Sequence, residues 1–68
     1  MPLQDFMRLI KPYQGKLYAM AQRYDPQAAQ ELTLAIITAA YKKIPGYPPG
    51  ISFPIWLSTV AQEYLHKD

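Results

Sequence analysis

Side chains able to do acid–base or metal chemistry are few in this 68-residue chain, and they stand far apart. The single histidine, His66, falls among positions that a helical repeat would turn to solvent. The five carboxylates (Asp5, Asp25, Glu31, Glu63 and Asp68) never recur at the spacing that lets two of them share a proton or a metal on one helix face. There is no cysteine, so neither a disulfide nor a thiolate metal site can form. No glycine-rich phosphate loop, nucleophile elbow or metal-ligand spacing is present. This pattern predicts a binding protein and no enzyme, with no cofactor and no metal. Phe6, Tyr13, Tyr24, Tyr41, Trp56 and Tyr64 fall on expected inner helix faces. They read as core, with tyrosine hydroxyls reaching the rim.

The elements that would position these residues follow from composition and spacing. One short chain allows one domain, residues 1–68, near the lower size limit for a self-sufficient core. Half the residues are apolar and the formal net charge is +2, which predicts a folded chain. Charged residues make up 18%, against a usual value of about 25%. The uncharged run Leu32–Tyr41 is too short to cross a bilayer, so no membrane partner is expected. Met1-Pro2-Leu3-Gln4-Asp5 lacks the basic and apolar regions of a signal peptide, which makes the cytoplasm the expected location.

Leu3, Phe6, Met7 and Ile10 recur at helical spacing, as do Tyr13, Leu17, Met20, Ala21 and Tyr24. Pro12 between them predicts one kinked helix or two stacked short ones over residues 3–24. Asp25-Pro26 reads as an N-cap followed by a first helical residue, opening a helix from Gln27 to Ile44. In that helix Ala29, Thr33, Ile36, Ile37, Ala40, Tyr41 and Ile44 share one arc, and Gln27, Glu31, Ala35, Thr38 and Lys42 lie opposite, bordered by Leu34. Pro45 to Gly50 predicts a stiff loop. Ser52 is the expected cap of a last helix with Pro54 in its first turn and Trp56, Leu57, Val60, Ala61, Tyr64 and Leu65 facing inward. Glu63 and Lys67 are spaced for an ion pair on its outer side. The fold expected is all-α, a compact bundle of three to four helices.

The order of these signals resembles a known domain over nearly the whole chain. Leu17-Tyr18-Ala19-Met20-Ala21-Gln22-Arg23 is similar to the L-Y-x-x-A-x-R helix in region 2 of bacterial sigma factors of the extracytoplasmic-function, sigma-70 type. Ala29-Gln30-Glu31-Leu32 and the residues to Tyr41 resemble A-E-D-L-V-Q-E-x-F-x-x-A-W/Y. Tyr47 with Ser52-Phe53-Pro54-Ile55-Trp56-Leu57-Ser58-Thr59-Val60-Ala61 resembles F-x-x-x-x-S-F-x-x-W-L-x-x-I-A, the most specific of the three blocks.

The resemblance implies a transcription-initiation module that binds the clamp helices of the largest subunit of RNA polymerase core and captures the minus-ten promoter strand. It places polymerase or partner contacts at Glu31, Leu34, Ala35 and Thr38. Base capture falls to the loop from Tyr47 to Phe53, including Ser52, and the DNA-facing surface comprises Ile55, Ser58, Thr59, Gln62 and Glu63. The departures from the family lie on these same surfaces. Asp-x-x-Gln-Glu becomes Glu31-x-x-Leu34-Ala35, and the DNA-facing arginines and asparagine become Pro54, Thr59 and Glu63. Fewer phosphate contacts mean weaker binding and a flatter salt dependence. An alternative therefore stands beside the first reading: a diverged module acting only through protein contacts, with polymerase, an anti-sigma factor or a partner that carries the upstream-reading domain absent from this sequence.

Overall fold

A computed structural model describes residues 1–66. Helix α1 (Leu3–Ile10) runs through a 3-10 turn (Lys11–Tyr13) into α2 (Gln14–Tyr24). After a tight turn comes α3 (Ala29–Lys43), which tapers into a second 3-10 turn (Ile44–Gly46); an irregular loop then leads to α4 (Phe53–Leu65). No strand occurs among the described residues. The described residues form an all-α bundle of four helices, at the upper end of the expected number. None of them is long and apolar enough to cross a membrane.

Helix α3 is the centre of the bundle, touching α1, α2 and α4. Its inner face buries Ala29, Thr33, Ile36, Ile37 and Ala40, as the 3.6-residue repeat predicts. Phe6 and Ile10 of α1, Leu17 of α2, and Trp56, Leu57, Val60, Ala61 and Leu65 of α4 close over it to make one continuous core. The Cα radius of gyration is 11.5 Å, close to the roughly 11 Å of a packed domain of this length. Thr33, the one buried polar residue among those described, donates its hydroxyl to the Ala29 carbonyl at 2.7 Å, so its burial leaves no orphan group.

Pro12 acts as the spacing predicts. It removes one amide donor, and the coil tightens to 3-10 geometry around it instead of breaking. Two helix boundaries differ from expectation. The Asp25 carboxylate accepts from the Gln27 amide at 3.1 Å, while the Ala28 amide donates to the Asp25 carbonyl at 3.2 Å. Asp25-Pro26 thus builds a four-residue turn, and α3 begins only at Ala29 with Ala28 as its N-cap. At the other end Pro45 is accommodated in the first turn of the 3-10 segment, so Ile44 belongs to that segment. Ser52 does occupy the N-cap of α4 with extended backbone, but its side chain makes no capping bond.

Two aromatic placements also need correction. Tyr24 is 55% exposed and Tyr64 is exposed as well, although both share a stripe with buried residues. Tyr24 lies on the α4 side of α2, where the His66 ring meets it only edge-on, and Tyr64 lies on the α3 side of α4 beside Ala39 and Lys43 in an open groove. Lys67 lies outside the described residues, and Glu63 pairs with Lys43 of α3 at 3.3 Å.

Two glycines respond oppositely to substitution. Gly15 is exposed near the start of α2 with nothing within 4 Å of an added Cβ. Gly15→Ala is expected to stabilise the fold by about 0.5–1 kcal/mol through helix propensity. Gly50 has φ +86°, where a Cβ is disfavoured by about 1–2 kcal/mol. Gly50→Ala should destabilise by that amount despite equally open surroundings, and urea melts of the two variants give the comparison.

Candidate functional site

Glu31, Leu34, Ala35 and Thr38 form one stripe along the solvent side of α3, at the i, i+3, i+4, i+7 spacing of neighbours on a helix. Glu31 and Thr38 are exposed, Ala35 is half-buried, and Leu34 is 57% exposed in the middle. The Thr38 hydroxyl donates to the Leu34 carbonyl at 2.9 Å, which fixes its rotamer and leaves its lone pairs outward. Leu34 also stands at the lip of a groove of about 370 Å³ between α2 and α3, lined with Gln14, Gly15, Tyr18, Gln30 and Ile37. Nothing charged among the described residues lines this groove. Tyr18, which the inward-facing pattern of α2 does not single out, is exposed beside it.

The loop aromatics are gathered into a cluster. Tyr47 and Phe53 stack nearly parallel, at 4° with centroids 6.3 Å apart. Both rings lean on Trp56, at 5.0 and 5.8 Å, and Phe53 also meets Tyr13 at 5.6 Å. The Tyr47 hydroxyl donates to the Ile51 carbonyl, closing the loop on itself. Tyr47 and Phe53 are half-buried as a result, while Ile51 and Ser52 stay exposed. The rings expected to take a base are therefore already packed against one another.

Helix α4 distributes its expected DNA-facing residues over three directions. Ile55 (63% exposed) and Thr59 point outward, with the Thr59 hydroxyl donating to the Ile55 carbonyl at 3.0 Å. Glu63 turns toward α3 and its ion pair with Lys43. Ser58 and Gln62 face α2 across a groove of about 510 Å³, and the opposite wall is Lys16, Met20, Arg23 and Tyr24. Leu65 and His66 close the groove at one end, where the Tyr24 and His66 rings meet edge to face at 6.2 Å. Helical spacing alone aligns Lys16 with Arg23 on one face of α2; that α4 lies beside that face follows only from the tertiary fold. The α3 stripe and the α4 face line no common groove among the described residues. No group of three or more His, Cys, Asp or Glu side chains comes together among the described residues. No family model, curated protein or solved structure matches this chain.

Proposed function

We propose that this chain is a sigma region 2-like module of transcription initiation, acting in the cytoplasm. It docks through the outer stripe of α3 on the clamp helices of RNA polymerase and engages the minus-ten strand along α4. The observation that carries this reading is Leu34. A large apolar side chain, more than half exposed, is held at the centre of a stripe with Ala35 beside it and polar Glu31 and Thr38 at its ends. An apolar centre with a polar rim is the usual anatomy of a protein interface. Ile55 and Thr59, exposed along the outer edge of α4, offer an apolar and a polar contact to a strand.

A second reading, contact with proteins alone, is favoured by the loop. Tyr47 and Phe53 spend their stacking faces on each other and on Trp56, and a base would have to displace those contacts. On this reading the α3 stripe meets polymerase, an anti-sigma factor or a partner carrying the upstream-reading domain.

Two measurements separate the readings. Fluorescence anisotropy of a labelled single strand of minus-ten-like sequence, in low salt, should show saturable binding on the first reading and none on the second. Titration of polymerase core with the double variant Leu34→Gln, Ala35→Glu tests the docking face. These changes restore the amide and carboxylate of the resembling family, and each charge-assisted hydrogen bond contributes about 1.5–3 kcal/mol. A polymerase surface that keeps the family's polar contacts should therefore bind at least tenfold more tightly, whereas a partner that rests on the apolar Leu34 centre should bind more weakly. Unchanged affinity for every partner tried would remove the α3 stripe from the interface.

A further inference from the structure

The groove between α2 and α4 carries a second binding site, and we propose that its occupant is an acidic amphipathic helix of a partner protein. The proposal does not depend on the reading of the α3 stripe, because the two surfaces share no residue.

Lys16, Met20 and Arg23 stand at positions i, i+4 and i+7 of α2 and together form one wall of the groove. Seven residues of helix advance about 10.5 Å. The wall thus presents two cations, two turns apart, with a flexible apolar side chain between them. The mirror of that pattern is a helix with carboxylates seven residues apart and an apolar residue between, lying alongside α2. Its central side chain would rest on Met20, and methionine suits such a contact because it adapts to different shapes. Ser58 and Gln62 on the α4 wall can donate to or accept from polar groups on the far side of the guest helix.

Charge supports an anionic occupant. Both cations are exposed, and the one ion pair among the described residues, Lys43 with Glu63, lies elsewhere. No carboxylate among the described residues lines the groove. Tyrosine, arginine and methionine, the residue types enriched at protein interfaces, are all present here. A nucleic-acid strand is the lesser match. The groove floor is aliphatic, and its one tyrosine already makes an edge contact with His66 instead of offering both faces for stacking.

The test uses a stapled helical peptide of about 15 residues, long enough to hold a helix, bearing Glu-x-x-x-Leu-x-x-Glu and a neutral dye. Anisotropy in low salt should show saturable binding to the full chain. Amide shifts on binding should centre on Lys16, Met20, Arg23, Ser58 and Gln62, with α3 positions 31 to 38 unmoved. The charge-reversal variant Lys16→Glu, Arg23→Glu should bind the peptide at least tenfold more weakly and should gain affinity for a peptide carrying lysines in place of the glutamates. Both positions are exposed, and an unchanged circular dichroism spectrum of the variant shows that folding is not the cause. Equal binding of the acidic and lysine peptides, shifts centred on α3, or no binding of the acidic peptide would overturn the proposal. So would tighter binding of a single-stranded oligonucleotide at the same residues, since that would make the groove a nucleic-acid site.

Discussion

Replacing Phe6 with alanine is expected to remove most of the stability of the fold. Phe6 is 0% exposed and sits where α1 meets α3, its ring tilted against Tyr41 with centroids 5.2 Å apart. Helix α1 is only eight residues long, too short to persist alone, and it buries just one other residue, Ile10. The Tyr41 hydroxyl donates to the Met1 carbonyl at 2.8 Å, so the same tyrosine that packs on Phe6 also ties down the chain before α1. Removing the ring empties a core site bounded by two helices. It should cost about 3–5 kcal/mol, as truncation of buried aromatics does. A chain of this size has a total stability of only about 3–10 kcal/mol. The variant should therefore be largely unfolded, or lose cooperativity, in urea melts followed by far-ultraviolet circular dichroism. Leu9→Ala is the matched control on the same helix, because Leu9 is exposed and its loss should cost under about 1 kcal/mol. Equal midpoints for the two variants would mean that α1 does not contribute to the core as described.

The helical period makes much of this core legible in the amino-acid order alone. Phe6 and Ile10, Leu17 and Ala21, the five inward residues of α3 and those of α4 all follow from which positions repeat every three or four residues. Periodicity says which side of a helix is apolar, but not what lies opposite or where coverage ends. Tyr24 and Tyr64 show that limit: both are in phase with buried neighbours, yet both stay exposed. Asp25 shows another. A carboxylate followed by proline is chemically suited both to a helix cap and to a turn, and only the two amides it and its carbonyl engage decide between them. The candidate surfaces are legible to different degrees. The α3 stripe follows from one helix alone, so spacing suffices. The α2–α4 groove joins residues some forty positions apart in the chain, and no local pattern in either helix announces the other.

Helix α2 separates two kinds of surface. On its α3 side Gln14, Gly15 and Tyr18 border an uncharged groove that runs up to Leu34. On its α4 side Lys16, Met20 and Arg23 border the groove with two cations. A charged fraction of 18% is low for a small domain, and two of the seven basic side chains stand together in this one groove. The uncharged groove lies on one side of α2 and the two cations on the other. Under the two proposals, the partners of these surfaces would not compete for the same side chains.

Trp56→Ala is expected to have the second large effect, and to release the loop before α4 as well as weaken the core. Trp56 is 8% exposed and meets both Tyr47 and Phe53, whose own stack depends on it as a floor. Phe53 in turn touches Tyr13 in the 3-10 turn between α1 and α2. One ring thus connects the loop, the first turn of α4 and the bend between the first two helices. Truncation of a buried tryptophan costs about 3–5 kcal/mol, and each aromatic pair lost adds about 0.5–1.5 kcal/mol beyond its buried area. Trp56→Phe keeps a ring on the floor of the cluster and should cost far less, roughly 1–2 kcal/mol. The two variants separate packing from folding. If the cluster pins the loop, the Tyr47 amide, which donates to the Ile44 carbonyl at 3.0 Å, exchanges faster in Trp56→Phe while the amides of the α3 core stay protected. If that amide exchanges no faster than in the parent chain, the hydroxyl contact from Tyr47 to Ile51 and the bend at Gly50 hold the loop without the indole. The rings of Tyr47 and Phe53 would then be free to part for a base at little cost, and the main structural argument for the protein-only reading would fall.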